Sequence, residues 1–80
     1  MRSPKDPYHV AISFNKALGF GTEDSYNTKT QDGARRIAEM RARECKCGAH
    51  VRIYHNVAGY PKFDWQLVEE YNIDKNGSLI

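Results

Sequence analysis

Residues 28–53, TKTQDGARRIAEMRARECKCGAHVRI, switch from one hydrophobic period to another, and that switch decides the fold. In the first part Ala34, Ile37, Ala38 and Cys45 recur at spacings of three, one and seven residues, which places them on one stripe of a helix. Thr30 is placed to cap the N-terminus, its hydroxyl accepting a backbone N–H, and Asp32 suits the positive end of the helix dipole. The helix is predicted over 31–46, with Gly48 as the left-handed residue that ends it. From Ala49 the period drops to two. Val51, Ile53 and Val57 then share one face, His50, Arg52 and Tyr54 the other, and a strand is predicted over 49–57.

Working outward, Tyr8, Val10, Ile12 and Phe14 alternate with His9, Ala11 and Ser13, the pattern of a half-buried strand. Residues 15–24 break the alternation around a Gly-Phe-Gly at 19–21 and read as a long hairpin loop. A phosphate-cradling loop would need a strand-to-helix turn and a following Lys-Ser/Thr, so these are read as turn glycines. Residues 25–30 form a second, shorter strand with Tyr26 and Thr28 facing the core. Beyond the turn at 58–62, Phe63, Trp65 and Leu67 alternate with Asp64 and Gln66, and the pattern runs loosely on through Tyr71 and Ile73. Leu67, Val68 and Tyr71 also fit a helix from Asp64. The strand is preferred because Val51 and Ile53 need a hairpin partner, and it predicts Phe63, Trp65 and Leu67 in the core. Residues 74–77 are a turn and 78–80 a short terminal strand or a frayed end. The predicted class is α+β in the order β-β-α-β-β: one helix across one face of a mostly antiparallel four-stranded sheet, the other face open to solvent.

A chain of 80 residues accommodates one domain, here 8–80 behind a polar, proline-containing arm at 1–7. A domain of this size buries about 60–65% of its unfolded surface, which leaves little room for an interior substrate cavity. The arm lacks the apolar run of a signal peptide, and no stretch reaches the roughly 20 apolar residues of a membrane span. A cytoplasmic monomer or weak dimer is expected, with Cys45 and Cys47 reduced because they stand too close in sequence for a structural disulfide. A net charge of +2 names no partner by itself; the placement of the cations does.

Two surfaces are candidates for contact. The outward side of the helix carries Arg35, Arg36, Arg43 and Lys46, interrupted by Glu39, with Arg36 and Arg43 on the same side. Such a row fits an acidic protein surface or a phosphate backbone; the competing account is a solvated face with Glu39–Arg43 and Arg35–Glu39 pairs. Arg41 falls inside the apolar stripe, so its stem should pack and its guanidinium reach past the sheet edge to a carboxylate. The open sheet face would show His9, Lys29, His50, Arg52, Tyr54 and Gln66, with Tyr54 its one well-placed aromatic. Basic and aromatic residues interleaved in this way can take single-stranded nucleic acid, although ordinary cross-strand pairs explain them as well. Cys45, Cys47, His50 and His55 have the atoms for zinc. Five residues apart on a strand, however, His50 and His55 point to opposite faces, so neither metal nor cofactor is expected. No nucleophile–base arrangement or carboxylate pair is recognisable, which points to a binding protein and not an enzyme.

The run from Thr28 to Ala38 and the run from Cys47 to Ile53 resemble small phage-encoded inhibitors, including type I-F anti-CRISPR proteins and phage inhibitors of bacterial RNA polymerase. The likeness spans residues 28–53. It implies a protein without catalytic residues that blocks a bacterial host protein or nucleoprotein complex, such as a CRISPR effector, by occupying its surface. The expected contact residues are Arg35, Arg36, Arg43 and Lys46, with Lys29, Arg52 and Tyr54 beside them. The alternative is a small nucleic-acid-binding domain that uses the open sheet face.

Overall fold

The computed structural model describes residues 5–15 and 23–80; the Gly-Phe-Gly at 19–21 lies outside them. Strand β1 is Tyr8–Phe14, β2 Glu23–Thr28, helix α1 Gln31–Cys45, β3 Ala49–Asn56 and β4 Trp65–Ile73. They form an antiparallel four-stranded sheet in the spatial order β2-β1-β3-β4. The helix connects β2 to β3 and crosses β1 on the way, so the predicted α+β class and element order hold.

Each end of α1 has a local cause. Thr30 is extended (φ −133°, ψ 156°), and its Oγ1 accepts the backbone N–H of Gly33 at 2.9 Å. At the other end Lys46, not Gly48, takes the left-handed conformation at φ 53°, its N–H closing on Ala42 and Arg43 carbonyls. Gly48 answers a different need. A Cβ there would stand 2.8 Å from the carbonyl oxygen of Ile73, so the start of β3 and the end of β4 could not come together around a larger residue.

Val10, Ile12, Phe14, Val51, Ile53 and Ile73 project from the sheet onto Ala34, Ala38 and Ala42, and all nine are buried. Alanines four residues apart bring the helix backbone close to the strands. Ile37 and Cys45 are only partly buried at the edge of the stripe, where Ala42 is fully buried.

Three corrections concern the second hairpin. Val57 is exposed, and Asn56 is buried in its place. The Asn56 amide donates to the Lys62 carbonyl at 2.8 Å, its Oδ1 accepts from the Asp64 N–H at 2.8 Å, and its backbone N–H donates to the Pro7 carbonyl at 2.8 Å. A polar side chain stays buried there because its hydrogen bonds hold the turn. Phe63, Trp65 and Leu67 are not in the core. Ile53 pairs with Glu69 but Tyr54 pairs with Leu67, so β4 carries one extra residue, a β-bulge. Glu69, Tyr71 and Ile73 lie on the helix side, while Leu67 and Trp65 share the outer side with Tyr54. Gln66, opposite His55, is accordingly on the helix side and not on the open face. Residues 78–80 fold back on the end of β4, with an Ile73–Leu79 bridge and an Ile80 N–H to Asn72 carbonyl bond of 3.1 Å.

Candidate functional site

Most of the helix cations are committed within the molecule. Arg35 Nε donates to both carboxylate oxygens of Glu69 at 2.9 Å, and its NH1 reaches Asp32 at 3.3 Å. In place of the Arg35–Glu39 pair of the competing account stands one that ties the helix to β4. Arg43 pairs with Glu39 at 3.3 Å and donates to the Asn76 carbonyl at 3.1 Å. Arg41 reaches past the edge of β2 to Asp24 at 2.8 Å, as its place in the stripe predicted, and also meets Glu44. The Glu69 carboxylate is drawn two ways: burial raises its pKa, but hydrogen bonds from Gln31 and Arg35 hold it below the usual range. Arg36 and Lys46 are exposed and make no ion pair among the described residues; Lys29 is exposed beyond the end of β2. The predicted helix stripe thus retains few uncommitted charges.

The sheet face turned away from the helix is richer than the sequence reading allowed. On β1 and β3, His9 stands opposite Tyr54, their rings 6.2 Å apart. The bulge brings Trp65 onto the same face, 5.9 Å from His9. Phe63 stacks on Trp65 at 6.2 Å, Tyr60 meets Phe63 edge-on at 6.2 Å, and Lys5 Nζ lies 6.0 Å from the centre of the Tyr60 ring. The rings form a continuous run from mid-sheet into the β3–β4 turn. Phe63 is 52% exposed, Tyr60 50% and Leu67, beside Tyr54, 49%, so the run is open to a partner. Sequence reasoning found Tyr54 and His9 and missed Trp65, Phe63, Tyr60 and Lys5. The available signal was Val68-Glu69, an apolar residue and a carboxylate that each break the alternation.

Next to the rings, Arg52 lies between Ala11 on β1 and Glu70 on β4. Glu70 is turned to His50 instead, Oε2 to Nε2 at 2.7 Å, and His50 Nδ1 faces Asn72 Oδ1 at 2.9 Å. Oxygen at both ring nitrogens favours the doubly protonated imidazole: Asn72 first, then Glu70, raises the His50 pKa above its ordinary value. Arg52 makes no ion pair among the described residues, and its Nε is sealed from solvent without an acceptor.

Chemically, this face can stack planar groups and meet an anion. Among the described residues no three His, Cys, Asp or Glu side chains converge as a metal site. Behind the sheet a recess of about 300 Å³ between α1 and the C-terminal residues is lined by Arg35, Glu39, Glu69, Tyr71 and Leu79, with no cysteine, serine or histidine. Tyr71 there is pushed up to about 12, by burial first and then by Glu69, and so stays a phenol. No helix is long and apolar enough to cross a membrane among the described residues. No protein-family model matches the chain, and neither a curated protein nor a solved structure does.

Proposed function

We propose that this chain is a non-enzymatic binding domain that takes single-stranded nucleic acid on the outer face of its sheet. The observation that carries the reading is the unbroken run Tyr54, His9, Trp65, Phe63 and Tyr60, with centroid separations of 5.9 to 6.2 Å. Base–aromatic stacking contributes about 1–3 kcal/mol per base and tolerates any sequence. A modest net charge is compatible with it, because Arg52 and Lys5 are placed at the rings themselves. The helix is the weaker candidate, since Arg35, Arg41 and Arg43 are already paired with carboxylates.

A second reading, occupancy of a bacterial host protein or nucleoprotein complex, draws on the likeness of residues 28–53 to phage-encoded inhibitors. It is favoured by the exposed aliphatic residues Leu67, beside Tyr54, and Val68 next to it in the chain, which suit a protein surface. Fluorescence anisotropy on a labelled twelve-nucleotide dT strand separates the two. Wild type should bind with an affinity that falls with salt, and Trp65→Ala with Phe63→Ala should weaken binding at least thirtyfold with the fold intact. No binding of DNA or RNA single strands by wild type overturns the nucleic-acid reading. Capture of a nuclease-resistant protein partner, abolished by the same pair of changes, would establish the second.

A further inference from the structure

We infer that Arg52 is the phosphate anchor of the outer face, and that the His50–Glu70 contact keeps it available by holding off its natural counter-ion. The inference deepens the nucleic-acid reading and rests on it for the identity of the ligand.

The argument begins with where each carboxylate goes. Cross-strand neighbours on a sheet stand about 4.5–5.5 Å apart at Cβ, so Glu70 and Arg52 are placed to neutralise each other. They do not. Glu70 instead meets His50 at 2.7 Å, and Arg52 has no carboxylate within ion-pair distance among the described residues. Its Nε is a buried donor with no acceptor, the type of group that an incoming anion satisfies. Three helix arginines, in contrast, all have carboxylate partners. Position supports the assignment. Tyr54 lies two residues along on the same face, the buried Ala11 opposite on β1 offers the guanidinium no acceptor, and a guanidinium beside stacked rings is suited to a phosphate between bases.

The groups around His50 are few. β1 presents Ser13 opposite it, with Glu23 beyond on β2; β4 presents Asn72 and Glu70; its own strand presents Arg52; and α1 lies on the other face. When His50 is protonated it holds Glu70. When it is neutral or replaced, Glu70 is released to close on Arg52 and compete with phosphate. The contact therefore couples affinity to the charge on His50.

The test uses the whole chain and the twelve-nucleotide dT strand. Arg52→Gln should weaken binding at least tenfold and lower the slope of log affinity against log salt by about 0.7, the loss of one phosphate contact. His50→Ala should weaken binding several-fold, and adding Glu70→Gln to it should restore the wild-type value. Wild-type affinity and slope in Arg52→Gln, or no rescue by Glu70→Gln, overturns the inference. A ligand-independent arm follows the Arg52 Nε–Hε resonance during titration with tripolyphosphate, with Arg35 Nε, bonded to Glu69, as internal control. A shift at Arg52 alone supports the anchor even if wild type binds no oligonucleotide, in which case only the nucleic-acid reading fails. Equal or absent shifts at both overturn the anchor, whatever the rings bind.

Discussion

His50 shows how one side chain on the outer face of an inner strand sets a pH dependence. Its pKa in the folded chain is raised, by Asn72 first and Glu70 second. A raised folded-state value means that the contact adds stability below the unfolded value of about 6.5, and that this is lost as pH rises through the folded value. Urea unfolding of wild type and His50→Gln should therefore differ most near pH 5.5 and converge near pH 8.5. A gap that widens with pH would show that the imidazole is neutral in the fold. Glu69 has the opposite sense: its folded value is lowered, so its ties to Gln31 and Arg35 weaken as pH falls through that value.

At the level of elements, β4 decides what the molecule presents. Phe63, Trp65, Leu67, Tyr71 and Ile73 all have odd numbers, so the sequence reads as one uninterrupted face. The extra residue near Val68 preserves that numbering while turning the strand over, and it sends Trp65 and Leu67 outward but Tyr71 and Ile73 inward. Period-two reasoning detects alternation, not which way it points after an interruption. The rest was legible for physical reasons: the Thr30 cap, the alanine stripe and the alternation in β1 and β3 are local or strictly periodic. The Asn56 turn was not, because its partners Pro7, Lys62 and Asp64 lie at separated points of the chain. Stability measurements check the assignment. Ile53→Ala, in the core, should cost about 2–4 kcal/mol, whereas Trp65→Ala should cost well under that, about 1–2 kcal/mol. A Trp65→Ala loss matching Ile53→Ala would place the indole in the interior.

Across the whole molecule, charge and apolar surface are divided between the two sides of the sheet. The helix side holds the hydrophobic core, and at its rim arginines face carboxylates; the outer side holds the ring run and a guanidinium that makes no ion pair among the described residues. This division predicts that Arg36→Glu with Lys46→Glu, on the helix, leaves the melting temperature nearly unchanged and strand affinity within about threefold of wild type, because exposed charges contribute about 0–1 kcal/mol. A larger loss of affinity would return the contact surface to the helix. The buried Asn56 has a consequence for this arrangement. It rivets three separate lengths of backbone, just before β1, within the turn and at the start of β4, close in sequence to Lys5, Tyr60 and Phe63. The contact surface is thus moored by a residue outside the ring run, and its grip can be loosened or stiffened without altering a single ring.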